Sequence, residues 1–294
     1  MKHCLIFGCG YSGFRVAKRL LAKGFKVTAT TRNPERQADL QSAGCHAEVL
    51  DVSDKTTLSK ISGFLDKESR VLLSIPSLSV TANNTTHYED PTARIVGALS
   101  NTPARVVYLS TTGVYGDTRQ VDEETPIAPI TERQFCRVEA ENSIMKQSWS
   151  SLILRPAAIY GPNRGIHCAI REKSFRLAGK GANFISRIHV EDLTALIVAA
   201  LESDITGAYP VADENPCTSL EIARYCADLF KLPMPRSSKE TQMVGTRHAN
   251  RKVDGRAICK LLGVTLRYPS YREGISASLT EEMANRKIPY QDVY

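Results

Sequence analysis

The sequence predicts an α/β fold, a doubly wound parallel sheet with a small interleaved C-terminal lobe. Three observations predict it. Short apolar runs alternate with helical patterns through the first half of the chain. The first run (Cys4, Leu5, Ile6, Phe7) leads directly into Gly8-x-Gly10-x-x-Gly13. Beyond Tyr160-Gly161-Pro162 the alternation breaks down, although no linker composition marks a separate domain.

Taken in order, the first strand covers about residues 3–8. Its helix covers 11–23, with Phe14, Val16, Ala17, Leu20 and Leu21 at helical spacing. The second strand is 26–30, and its helix starts near Pro34, a residue suited to a first turn. The third strand is 46–50, followed by a short helix around 54–60. The fourth is 71–75, with a helix over 92–99. The fifth is 105–110, with a helix over 131–146 after a loop, and the sixth is 152–154. Each strand is short and largely apolar, as expected when helices cover both faces of a parallel sheet. Residues 163–186 are rich in Gly and Arg and lack periodicity. A helix is expected at 190–201, a strand returning to the sheet at 208–211, and helices near 218–230, 255–262 and 271–286. The expected division is a Rossmann domain from 1–162 plus about 187–211, and a substrate-binding lobe from about 163–186 plus 212–294.

The glycine motif points to a dinucleotide. A buried strand turning tightly into a helix leaves the first helical N–H groups, around Tyr11 and Ser12, unpaired and facing outward. A pyrophosphate satisfies those donors and the positive end of the helix dipole. Gly8 permits the turn, Gly10 lets backbone approach phosphate oxygens, and Gly13 lets helix pack close to strand. A site that selects NAD ends strand two with an acid for the ribose 2′-hydroxyl. Here that tip reads Thr31-Arg32-Asn33-Pro34-Glu35-Arg36, with no acid at the strand end. Arg32 is placed to pair with a 2′-phosphate, with Thr31 donating a further hydrogen bond and Arg36 adding charge. NADP is therefore the expected cofactor, with NAD as the alternative.

The net charge of +7 over 294 residues is not gathered into a Lys/Arg block. No basic stripe with groove-reading or aromatic elements is present, which argues against nucleic acid as a partner. An anionic small molecule accounts better for the charge. No apolar stretch is long enough to span a bilayer, and none reads as a signal peptide. The eight cysteines are scattered without a C-x-x-C pair or zinc spacing, as expected of core thiols in a reducing cytoplasm and of a chain without a metal site.

Several segments together resemble the extended short-chain dehydrogenase/reductase superfamily, in its NAD-dependent epimerase/dehydratase branch. They are the glycine motif; Asp51-Val52 after strand three; Leu109-Ser110-Thr111-Thr112-Gly113-Val114-Tyr115-Gly116 at the end of strand five; Leu154-Arg155-Pro156 with Tyr160-Gly161-Pro162; and Ile188-His189-Val190-Glu191-Asp192. The resemblance covers nearly the whole chain. It implies that Asp51 and Val52 flank the adenine and that Ser74, Ile75 and Pro76 line the ribose and pyrophosphate. It also implies that Thr111 is the catalytic hydroxyl, hydrogen-bonded to a substrate oxygen beside the nicotinamide. The competing reading of Thr111 is a strand-end hydroxyl capping local backbone.

The departures mark an atypical member. The resemblance calls for a Tyr four residues before a Lys on the helix after strand five. Aligning Glu141 with the acid that follows the Lys places Arg133 and Arg137 at those two positions. A guanidinium stays protonated and cannot shuttle a proton as a phenol does. Arg137 can still donate to ribose hydroxyls. The alternative is that Arg133, Arg137 and Glu141, spaced by four, form an ion-pair ladder on a solvated face. Thr112-Gly113 stands where dehydratases carry Asp-Glu, Ala158 where Asn is common, and Phe7 where the motif's usual first Gly falls. Substitute acid/base groups are sought among Tyr115, Tyr160, His87, His167 and His189, of which His189 reads as structural. His87 lies in a loop over the nicotinamide or at a helix start. Arg164, Arg171, Arg176 and Arg187 suit a phosphate- or carboxylate-bearing substrate, unless they are solvated surface residues. Two functions follow: an oxidoreductase or epimerase/dehydratase-like protein acting on a small anionic substrate, or a catalytically silent NADP(H) sensor. The helix after strand five is also where a homodimer is expected to form.

Overall fold

Seven apolar runs pair, every one in parallel, into a single sheet in the computed structural model, which describes residues 2–82, 85–99, 103–238 and 249–286. They are β1 (His3–Phe7), β2 (Lys26–Thr31), β3 (His46–Val49), β4 (Arg70–Leu73), β5 (Arg105–Leu109), β6 (Ser150–Pro156) and β7 (Gly207–Val211). Their order is β7-β6-β5-β4-β1-β2-β3, so the chain reverses its direction of travel across the sheet between β1 and β4. All seven strands expected from the sequence are present, with ends shifted by a residue or two. The Rossmann-type architecture holds.

Side chains alternate across the sheet with the period of two that extended backbone imposes. Cys4 and Ile6 of β1 enter one core together with Leu72, Val107 and Leu152. There they meet Val16, Ala17 and Leu20 of α1 (Tyr11–Ala22) and Leu193, Leu196, Ile197 and Leu201 of a later helix. Leu5 and Phe7 enter the opposite core with Val71, Val106 and Ile153. Between β2 and β3 lies α2 (Glu35–Ser42), and α3 (Lys55–Leu58) runs into a 3₁₀ turn over Ser59–Phe64. The second core is closed by α4 (Thr92–Ala98), through Ile95, and by α5 (Glu132–Met145), through Ala140 and Ile144.

The stretch between β4 and α4 is neither open loop nor helix start. Leu78–Ala82 pairs antiparallel with Thr85–Glu89 as a hairpin, and His87 lies within its second strand. The β-branched composition of these two runs around Asn83-Asn84 carried that signal. After β6, Ala158–Tyr160 pairs with Arg187–His189, and α6 (Ile166–Arg171) forms where the sequence showed no periodicity. Then come α7 (Val190–Glu202), α8 (Ser219–Phe230), α9 (Arg256–Leu261) and α10 (Tyr271–Arg286). A further core of Tyr160, Ile170, Leu177, Ile222, Cys226, Tyr271 and Ile275 joins this part of the chain. His189 ties it to the sheet. Its Nδ1 accepts from the Glu191 N–H at the start of α7, its Nε2 meets the Ser278 hydroxyl of α10 at 3.2 Å, and its ring packs between Tyr160 and Tyr268. Burial lowers its pKa to about 4, so the ring is a neutral structural post at neutral pH. No described helix is long and apolar enough to cross a membrane.

The inward face of α5 carries two charged residues beside Ala140 and Ile144, where a ladder on a solvated face would leave them exposed. Arg137 and Glu141 are buried, and each has its partner on another element. Arg137 pairs with Asp90 at 2.8 Å, and Glu141 pairs with Arg155 of β6 at 2.7 Å. Glu141 also accepts from the Ser110 hydroxyl at 2.5 Å, and Arg155 donates to the Tyr115 hydroxyl at 3.0 Å. Removing one member of a buried pair strands the other charge in a poor dielectric, at about 3–5 kcal/mol. Glu141→Ala should lose that much in chemical denaturation, and adding Arg155→Met should recover most of it. A loss under about 1 kcal/mol for the single variant would mean that the pair does not hold α5 to β6.

Candidate functional site

A cavity of about 720 Å³ opens at the carboxyl ends of the strands where the strand order reverses, the place where doubly wound sheets bind ligands. Its wall begins with the glycine turn. Gly8 has φ +78°, and a Cβ there would lie 2.8 Å from the Ser74 carbonyl oxygen, so the turn needs glycine. At Gly13 a Cβ would lie 2.8 Å from the Gly8 carbonyl oxygen, which is the close helix-to-strand packing expected of it. Gly10 differs: nothing lies nearer than 4.0 Å to its missing Cβ. Helix α1 therefore starts against open space, with no side-chain cap and no acid in its first turn. Its first N–H groups have no intrahelical acceptor and point where an anion would lie. This cradle fits a dinucleotide pyrophosphate.

Of the residues expected at a cofactor, Gly8, Gly10, Tyr11, Ser12, Thr31, Arg32, Arg36, Val52, Ser74, Ile75, Pro76 and Arg137 line the cavity. Gly13 lies behind it and Asp51 beside it. The Asp51 carboxylate accepts from the Ser53 N–H at 2.9 Å and from the Ser53 hydroxyl. Those bonds, with Arg32 and Arg94 nearby, hold its pKa below the usual range. Arg32 is exposed and Arg36 half-buried, and neither is ion-paired among the described residues. The Thr31 hydroxyl accepts from the Asn33 N–H at 3.2 Å and fixes the tip of β2.

At the other end stand Ser110 and Thr111. The Thr111 hydroxyl accepts from the Gly113 N–H at 3.1 Å and caps the 3₁₀ turn Thr112–Tyr115, so the capping geometry is present. That bond uses a lone pair and leaves the hydroxyl hydrogen free for another acceptor in the cavity. Arg133 lines the cavity and has no ion-pair or hydrogen-bond partner among the described residues. Arg137 is otherwise engaged. Besides Asp90 it donates to the Tyr108 hydroxyl and to the Ile75 carbonyl oxygen at 3.2 Å. It thereby holds in place the Ser74–Pro76 segment that forms the cavity floor.

The substitute acid/base candidates all lie elsewhere. The Tyr115 hydroxyl accepts from Arg155, and the Tyr160 hydroxyl donates to the Ser270 carbonyl at 3.2 Å. His87 lies 3.4 Å from Glu132. His167 is buried beside Cys168 and Glu282, and both oxygens of Glu282 are already taken, by the Asn163 N–H at 2.7 Å and by Arg171 at 2.5 Å. Arg187 is buried on the Ile185 carbonyl and Cys217, and exposed Arg176 folds back on the Lys173 and Phe175 carbonyls. Of the four arginines considered for a substrate, Arg164 alone lines the cavity, where the sequence left it undistinguished from the others. Sequence reasoning also passed over Cys9, Leu50, Leu78 and Ser110, which line it too.

The described lining thus holds five arginines (Arg32, Arg36, Arg133, Arg137, Arg164) and no carboxylate, histidine or lysine. Its remaining titratable groups are Cys9, whose thiol burial pushes up to about 12, and Tyr11, whose hydroxyl burial also pushes well up. The arrangement can hold anions and donate hydrogen bonds. It contains no group that changes protonation near neutral pH.

Comparison with known proteins places this geometry. A conserved protein of unknown function from Silicibacter pomeroyi DSS is 27% identical, with a TM-score of 0.77 over 96% of this chain and 99% of that one. Protein YeeZ of Escherichia coli K12 is 24% identical over 92% of this chain and 97% of its own length. MoeE5, solved in complex with UDP-glucose and NAD, shares the fold at 18% identity, with a TM-score of 0.76 over 98% of this chain and all of that one. Residues 4–212 match the model of the NAD dependent epimerase/dehydratase family, and the chain belongs to that family.

Proposed function

We propose that this chain is an NADP(H)-binding oxidoreductase-type protein acting on a small anionic substrate, with the ordinary proton relay of its family absent. The observation that carries this reading is the described lining itself: five arginines, the Thr111 hydroxyl with its hydrogen available, and no acid or base that titrates near neutrality. Binding of NAD by MoeE5 at a fold of the same topology supports a nicotinamide dinucleotide here. In this reading Gly8, Gly10, Tyr11 and Ser12 receive the pyrophosphate. Val52 and Leu50 flank the adenine, and Ser74, Ile75 and Pro76 underlie the ribose, held from behind by Arg137. The described residues of about 163–186 and 212–286 form the substrate side.

A bound nicotinamide supplies a hydride or accepts one. The chain's own part is to orient and to stabilise charge. The Thr111 hydroxyl donates to the substrate oxygen, and Arg133 faces the negative charge that develops there when a carbonyl is reduced. The permanently charged Arg133 cannot remove a proton from an alcohol, so the oxidative half of an epimerisation lacks its base. Reduction needs only that the alkoxide be met by charge and then take a proton from solvent. A binding protein without turnover is the second reading, favoured by the same absence of a relay.

The 2′-phosphate preference rests on Arg32 and Arg36 at the tip of β2, with no acid there. A charge-assisted arginine–phosphate contact contributes about 1.5–3 kcal/mol, and exposure of Arg32 puts it at the lower end. NADPH should bind more tightly than NADH by about tenfold in a fluorescence titration, and Arg32→Ala should remove most of the difference. Equal affinities in the unaltered chain would sink the NADP assignment.

Positioned proton transfer contributes roughly 10²–10⁴-fold to such reactions. Turnover of ordinary nucleotide sugars by epimerisation should accordingly be very slow or absent, followed by product analysis with NADPH or NADH present. Thr111→Ala should abolish whatever reduction is found while leaving cofactor affinity within about twofold. Fast epimerisation that Thr111→Ala does not diminish would show that the reacting centre lies elsewhere.

A further inference from the structure

We propose that Arg164 is the residue that clamps the cofactor's pyrophosphate beside Tyr11, the first residue of the helix that follows the glycine turn. The inference rests on the reading that a dinucleotide occupies this cavity. Arg164 ends a tight turn after β6, closed by reciprocal backbone bonds: Gly161 N–H to the Arg164 carbonyl at 2.9 Å, and Arg164 N–H to the Gly161 carbonyl at 3.0 Å. Two outside contacts hold that turn. The Tyr11 hydroxyl donates to the Pro162 carbonyl at 2.9 Å, and the Asn163 N–H donates to Glu282 of α10 at 2.7 Å. Asn163 sits at φ +58°, a left-handed conformation that asparagine tolerates and that turns the following residue back toward the cavity.

The guanidinium carbon of Arg164 lies 5.1 Å from the centroid of the Tyr11 ring. Arg15 faces the same ring at 4.4 Å, but Arg15 is neutralised by Glu191 at 3.0 Å and Glu281 at 3.4 Å. Arg164 has no acidic partner among the described residues, and it lines the cavity. Tyr11 is the first residue of α1, whose uncapped N–H groups face the same space. A free cation and an uncapped positive helix end thus meet at one residue of the cavity wall. A group with two negative charges between them satisfies both. The sequence offers Arg164 equally to a substrate phosphate; its seat on Tyr11 assigns it to the pyrophosphate instead.

The test compares two ligands, NADPH and adenosine 2′-monophosphate, which carries the adenine end without the pyrophosphate. Affinities are read by nicotinamide fluorescence and by competition against it. In Arg164→Ala the NADPH affinity should fall by about tenfold or more, while that of adenosine 2′-monophosphate stays within about twofold. Arg164→Lys should recover part of the loss, since an ammonium keeps the charge without the fork. NADPH affinity unchanged in Arg164→Ala would overturn the clamp while leaving the cofactor reading intact, and so would equal weakening of both ligands. An unaltered chain that binds neither NADPH nor NADH would overturn the cofactor reading and the clamp with it.

Discussion

The close approach of three backbone segments at Gly8 is the constraint on which the site depends. The carbonyl of Ser74 at the end of β4 and the start of α1 both come within a distance of the Gly8 turn that excludes a Cβ. Because β1 and β4 are neighbours at the point where strand order reverses, this contact both closes the sheet and opens the crevice above it. The helix end that results is left uncapped, which costs stability unless water or an anion satisfies its donors. Local geometry that would be a defect in a purely structural turn is what makes this one a ligand site.

Beneath the cavity the molecule holds charge in place of a hydrophobic wall. Helix α5 turns Arg137 and Glu141 inward, and each is matched by a buried partner, Asp90 or Arg155. Buried pairs of this kind seldom add net stability over apolar packing, and their use is to fix register. Here they fix the two loops that matter. Arg137 holds the Ile75 carbonyl after β4, and Glu141 holds Ser110, the neighbour of Thr111, after β5. Arg137 is thus a structural tie, while Arg133, one turn earlier on the same helix, lines the cavity without an ion-pair partner among the described residues.

The sheet and its helices were legible because their signals are local. Alternating apolar residues, glycine turns and helical spacing need no knowledge of what packs on them, and β1 through β7 fall where the periodicity puts them. Most residues expected at the cofactor line the cavity for the same reason, since they follow strand ends directly. The partners of charged side chains were not legible. A surface ladder of Arg133, Arg137 and Glu141 stood as one of two readings because i, i+4 spacing is visible in a sequence and Asp90 and Arg155, 47 and 14 residues away from Arg137 and Glu141, are not. Arg164 could not be told from Arg171, Arg176 and Arg187 until the Tyr11 ring was placed beneath it. The hairpin over Leu78–Glu89 is a different failure: its β-branched composition was readable, and the expectation of a plain crossover loop hid it.

Folding also decides where the chain's positive charge lies. A net +7 with no basic block implies that the surplus is either dispersed or concentrated by folding. Folding concentrates part of it: Arg32, Arg36, Arg133 and Arg164, four arginines without an ion-pair partner among the described residues, meet around one cavity, beside Arg137, which Asp90 neutralises. Most other buried or half-buried arginines outside it are paired or tied to carbonyls, as Arg15, Arg105, Arg155, Arg171 and Arg187 are. A cleft lined by one sign of charge with low-dielectric walls focuses the field and draws anions in. That property needs no titrating group, because a fixed guanidinium holds and steers an anion at any pH where the fold persists. Holding an anion and moving a proton therefore place separate demands on a cavity, and the described lining of this one meets the first with fixed charge.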